Sequence, residues 1–160
     1  MMETARAIYQ AHLDIVSNAV WIRSHSTLAR HIDDVLDIET LDRAHLATLR
    51  AQTVGNLIAF RRAMEEIGAT AYHRLCLDAA FVDEGRIDGH HRTYVLRGGN
   101  YAIDPYDCEM ILVLRDGVWK MSHTRVGRRH LGSASFRSDR DAPMPPADGA
   151  APTDTPIRRT

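Results

Sequence analysis

At Tyr72 the spacing of apolar residues changes from three and four to two. That change confines the chain to folds in which helices come first and an antiparallel sheet follows. Strands are predicted over Tyr72 to Val82, Ile87 to Leu96, Cys108 to Arg115 and Val118 to Val126. Asp116-Gly117 is the best hairpin signal, because both residues tolerate the positive φ of a type I′ turn. A two-residue turn there pairs Leu114 with Trp119, Leu112 with Met121, Met110 with His123 and Cys108 with Arg125, all on one face. The opposite face, with Val113, Lys120, Ile111, Ser122, Glu109 and Thr124, is the less apolar of the two.

Before Tyr72 the pattern is helical. Tyr9, Leu13, Val16 and Val20 form one stripe of a helix over Ile8 to Ile22, with Trp21 beside it. Ser26 or Thr27 can cap a short second helix running to His31, and Val35 to Ile38 and His45 to Leu49 read as short strands. A third helix is expected from a Thr53 cap through Leu57, Phe60, Met64 and Ile67 to Gly68. Beyond His130 the composition turns to Ser, Asp, Ala and Pro, and five of the six prolines lie between Pro143 and Pro156. Residues 1–130 are therefore read as the folded domain and residues 131–160 as a disordered tail.

Composition narrows the function classes. The chain is 44% hydrophobic and 26% charged, as globular proteins are, and its formal charge of -1 supplies no positive field for nucleic acid or an anionic membrane. Charged residues interrupt the N-terminal segment, and no 18-residue apolar run follows. Cys76 and Cys108 have no metal or C-x-x-C spacing, which reads as two reduced thiols in a cytoplasmic protein. His90-His91 point to opposite faces of a strand, and neither His-x-His nor HExxH occurs, so no metal is expected. No organic cofactor is expected either, since a Gly-rich phosphate loop and a G-x-S-x-G elbow are both missing.

Candidate chemistry sits on the hairpins. His123 and Arg125 end an otherwise apolar wall with Trp119 and Met121. The imidazole could transfer protons there while Arg125 binds an anionic group, or both could serve structure alone. A turn centred on Glu84-Gly85 sets Asp78 opposite His91, with Cys76, Thr93, Ala80 and Gly89 on the same face, a carboxylate orienting an imidazole. A one-residue bulge would send the two groups to different faces. On the alternate face Leu75, Leu77, Ala79 and Phe81 oppose Tyr94, Arg92, His90 and Asp88, which makes Tyr94 and Arg92 ligand contacts should that face line a pocket.

The stretches "AHLDIVSNAVWIRSHSTLARHIDD", "YHRLCLDAAFVDEGRIDGHHRTYVLRGG" and "EMILVLRDGVWKMSHTRV" together resemble the NTF2-like superfamily, which includes the SnoaL-like proteins. The resemblance implies an α+β, cystatin-like cone in which helices pack on a strongly bent, mostly antiparallel sheet around a pocket, often in homodimers. It also places an acidic strand after the second helix, where Asp33, Asp34 and Glu39 stand, and Glu39 could occupy the general-base position of steroid-isomerase-like members. Two readings of function remain open. One is a pocket for a small, largely apolar or aromatic molecule, with or without cofactor-free isomerase, cyclase or dehydratase chemistry. The other is a non-catalytic dimerising scaffold similar to a dioxygenase β subunit.

Overall fold

The computed structural model describes residues 3–41 and 43–127, with residues 43 and 44 described in backbone only. The expected tail, residues 131–160, lies outside the described residues.

Helix α1 spans Ala5–Ile22. Thr4 caps it by accepting the Ala7 amide on Oγ1 at 3.1 Å. Arg23 ends it in the left-handed conformation, φ 59°. The expected stripe of Tyr9, Leu13, Val16 and Val20 is buried. The break at Arg23 lets a second helix, α2 (His25–Arg30), start at once, so Ser24 precedes it in place of the expected Ser26 or Thr27. Ser24 Oγ holds Thr27 Oγ1 at 2.9 Å.

Strands β1 (Ile32–Thr40) and β2 (Arg43–Leu49) pair antiparallel and lead into α3 (Arg50–Glu66). That helix begins one turn before the expected Thr53 cap, because Gln52 already satisfies the Leu49 amide through Oε1 at 3.1 Å. Thr53 instead lies buried, its hydroxyl 2.9 Å from that of Thr48. Gly68 follows the helix with φ 77°, the positive φ that glycine adopts without strain.

The remaining strands are β3 (Ala71–Asp83), β4 (Arg86–Arg97), the short β5 (Asn100–Tyr101), β6 (Tyr106–Arg115) and β7 (Val118–Val126). The sheet runs in the order β2-β1-β7-β6-β4-β3, with β5 on β4. Its pairings are antiparallel except for β1 with β7. The expected Asp116-Gly117 turn is present, with φ 52° and 77°.

The helices cover one face of this sheet. Tyr9, Leu13, Leu28, Leu36, Met64, Ile87 and Leu112 meet there, each no more than 1% exposed. Full burial of each such side chain is worth about 1.5–3 kcal/mol. The edge strand β3 is sealed by α1. Gln10 accepts the Cys76 amide at 2.8 Å and donates to the Arg74 carbonyl at 2.9 Å, while Arg6 donates to the carbonyls of Cys76 and Leu77. Over Arg74 to Leu77 these bonds satisfy backbone groups of β3 that no strand pairs.

Bulges decide which side chains face the helices. In β7 the ladder slips at Ser122, and in β3 it slips at Leu77 and again at Val82. Each inserted residue bends its strand and swaps the faces beyond it.

Candidate functional site

The inward row of β4 is Ile87, Gly89, His91, Thr93 and Val95. Gly89 is the opening in this row. A Cβ there would overlap the ring of Tyr9, so only glycine lets the α1 phenol lie against the β4 backbone. Tyr9 Oη then reaches His91 Nδ1 at 2.6 Å, and both side chains are 1% exposed or less.

Burial holds the His91 imidazole down to about 2, helped by the nearby Arg74 guanidinium, and burial also pushes the Tyr9 phenol up. Both groups are neutral at physiological pH. No other acceptor for the Tyr9 proton is found among the described residues, so we assign that proton to His91 Nδ1. The imidazole N–H then resides on Nε2.

Arg74 stands diagonally across the β3–β4 pair, since Arg74 opposes Thr93 and Cys76 opposes His91. Its Nε donates to Ser17 Oγ at 2.7 Å and its Nη2 to the Leu13 carbonyl at 3.2 Å. Both bonds go to α1, which fixes the guanidinium. Among the described residues it forms no ion pair with a carboxylate.

His91 and Arg74 border a cavity of about 140 Å³ between α3 and the sheet. Leu57 and Phe60 of α3, Leu36 and Ile38 of β1, and Met121 and Val126 of β7 supply its apolar wall. Thr53, Asn56, Thr93, Tyr106 and Thr124 add neutral polar groups, and no described carboxylate lines it. A larger cleft of about 700 Å³ lies between α1 and β3 and shares Tyr72 and Arg74 with the inner cavity.

Two of the residues singled out from sequence, His91 and Met121, line the inner cavity. Trp119 also faces the helices but sits further along. Its ring centroid is 6.3 Å from that of Phe81, and it borders a separate cleft with His12 and His31. The expected pairs Leu114–Trp119 and Leu112–Met121 form. The next two do not, because the bulge at Ser122 pairs His123 with Ile111 and Arg125 with Glu109. His123 therefore stands on the outer face, its Nε2 3.0 Å from Glu39 Oε1, and Arg125 lies 3.8 Å from Glu109. Thr124 and Val126 take the inner positions expected for those two residues.

The Asp78–His91 pair is likewise corrected. The Leu77 bulge sets Asp78 opposite His90, exposed on the outer face, and leaves Cys76 opposite His91. The same slip turns Ala79 and Phe81 inward while Leu75 and Leu77 stay out. Tyr94 belongs to the outer face, opposite His73, and borders the larger cleft. Glu39 leaves the cavity because it alternates with the inward Ile38 and Thr40.

Sequence reasoning missed Arg74 and Tyr9 as site residues. The available signal was Gly89, a glycine inside a strand, which marks a place where another group approaches the backbone.

The arrangement of the sheet, with helices on one face and a bent, mostly antiparallel meander, is shared with solved structures. A domain of unknown function with a cystatin-like fold from Nostoc punctiforme superposes with a TM-score of 0.61 at 14% identity, covering 81% of this chain and 80% of that one. An NTF-2 like protein of unknown function from Shewanella oneidensis gives 0.59 at 7% identity, covering 76% and 97%. The chain has the NTF2-like, cystatin-like fold. LinA shares this NTF2-like fold with a TM-score of 0.51 at 15% identity, covering 79% of this chain and 87% of LinA. No family profile and no curated protein matches the sequence.

Proposed function

We propose that this NTF2-like protein is a SnoaL-like pocket protein that binds a small, largely apolar molecule in the cavity between α3 and the sheet. The observation that carries this reading is the cavity itself, about 140 Å³ with an apolar wall and a few convergent polar groups. An apolar cavity of roughly 150 Å³ is enough to hold benzene, so the space suits one six-membered ring.

The geometry favours binding and polarisation over proton abstraction. An imidazole held down to about 2 is a weak base at neutral pH. Its Nε2–H remains a good hydrogen-bond donor to a carbonyl or enolate oxygen. In an isomerase, cyclase or dehydratase of this design, His91 would stabilise developing negative charge and a base would come from the substrate or water.

Thermal unfolding of the full chain with toluene, phenol or cyclohexanone tests the reading. A concentration-dependent rise in Tm is expected, and Leu57→Trp, which fills the cavity with an indole, should abolish it without lowering stability. Equal stabilisation of the Leu57→Trp variant would place the ligand elsewhere.

A second reading, a dimerising scaffold, is favoured by the outer face, where Leu75 and Leu77 of β3 are 52% and 37% exposed and Ile111 and Val113 of β6, on the far side of β4, are half-buried. We propose a homodimer through this face, to be checked by sedimentation at micromolar concentration, where a species of 18.0 kDa would count against it. A cytoplasmic setting is supported by the free thiols of Cys76 and Cys108. No described helix is long and apolar enough to cross a membrane.

A further inference from the structure

Resting on the pocket reading above, we infer that the molecule bound is a monocyclic carboxylate, its ring in the inner cavity and its carboxylate on Arg74. The inference comes from the sign of the polar groups. The described lining of the inner cavity contains one permanent cation, Arg74, and no carboxylate; Asp14 lines the larger cleft on the far side of Arg74, where it accepts from Gln10 Nε2 at 2.9 Å and makes no ion pair with Arg74. The imidazole next to it is held neutral and, with Tyr9 donating to Nδ1, offers only an N–H on the remaining nitrogen. Cation and imidazole thus both present donors, and a group accepting two hydrogen bonds with negative charge is their complement.

Arg74 is also prepared for this role. Ser17 Oγ and the Leu13 carbonyl hold two of its nitrogens, so a ligand meets a guanidinium already fixed in orientation. Because Arg74 and Tyr72 form the wall between the inner cavity and the larger cleft, a carboxylate there keeps access to solvent while the ring lies among Phe60, Leu57 and Met121. The size limit excludes fused ring systems from the inner space, and the planar fork of arginine favours a planar carboxylate.

Titration of the full-length protein with benzoate, its neutral isostere benzamide, and toluene separates the claims. Benzoate should bind at least about tenfold more tightly than benzamide. Arg74→Met, which keeps the stem and removes the charge, should erase that preference while toluene binding persists, and Arg74→Lys should retain part of it. Should Arg74→Met fail to fold, the Arg74 Nε signal of the wild-type protein decides, since it must move on addition of benzoate and not of toluene. Benzamide binding as tightly as benzoate, or an unmoved Arg74 signal, overturns the carboxylate assignment and leaves the pocket reading standing. Failure of all three probes to bind overturns the pocket reading as well.

Discussion

The hydroxyl of Tyr9, from the first helix, lies 2.6 Å from Nδ1 of His91, from the middle of the sheet, and Gly89 is what lets them meet. Sequence distance, burial and charge state converge on this contact, which ties the helix layer to the wall of the cavity.

Gly89→Ala should lower stability by about 1–3 kcal/mol, the usual cost of forcing a methyl into a packed core. Tyr9→Phe should cost about 1–3 kcal/mol by leaving the imidazole without its buried partner. The two effects should be less than additive, because displacing the Tyr9 ring already breaks the hydrogen bond. Chemical denaturation of the single and double variants measures this, and strict additivity would show that the ring and the hydroxyl act independently.

Stability should fall as the medium is acidified below pH 6.5. His91 and His12 are held by burial down to about 2 and about 3, from an ordinary 6.5, and His12 spends its Nε2–H on the His31 carbonyl at 3.0 Å. Between 6.5 and those values the unfolded chain binds more protons than the folded one, so their contribution is complete above 6.5 and lost progressively below it. Each fully unprotonated histidine adds a slope of up to about 1.4 kcal/mol per pH unit. Denaturation midpoints from pH 8 to pH 4 check the sign, and Tyr9→Phe should not change it.

His123→Ala should change stability by no more than about 1 kcal/mol, as expected for a partly exposed pair with Glu39, and should leave toluene binding unaltered. Met121→Ala, by contrast, should cost about 2–5 kcal/mol and alter that binding, because Met121 is buried at the cavity wall. Equal effects of the two variants would mean that the outer face participates in the site.

The order of helices and strands, the Asp116-Gly117 turn and the buried stripe of α1 were legible in the sequence because periodicity and turn chemistry report them directly. The site was less so, and the reason is one residue at each of two places. A regular ladder starting from Asp116-Gly117 gives correct partners for Trp119 and Met121, then fails at Ser122, which adds a residue without any Gly or Pro to announce it. Leu77 does the same in β3 and separates Asp78 from His91. Because side chains alternate with a period of two, each slip moves every later residue to the opposite face. Arg74 was hidden for a different reason: its partners, Ser17 and the Leu13 carbonyl, belong to a helix more than fifty residues away. No local pattern connects them.

Deleting Ser122 tests that explanation. The deletion removes the unpaired residue and makes the ladder regular with its present partners, His123 still opposite Ile111 and Thr124 still opposite Met110. The faces should therefore be kept, and the Tm should change by no more than a few degrees, about 1 kcal/mol. A deletion variant in which His123 is buried and Thr124 exposed would show that the extra residue does not set the faces at the end of β7.

The most direct test of the pocket is a methyl NMR titration of the full-length protein with toluene. The methyl signals of Leu57 and Met121, on opposite walls of the inner cavity, should shift together and saturate, while those of Leu75 and Val113 on the outer face stay in place. Saturable shifts at Leu75 or Val113 with Leu57 and Met121 unmoved would contradict the account.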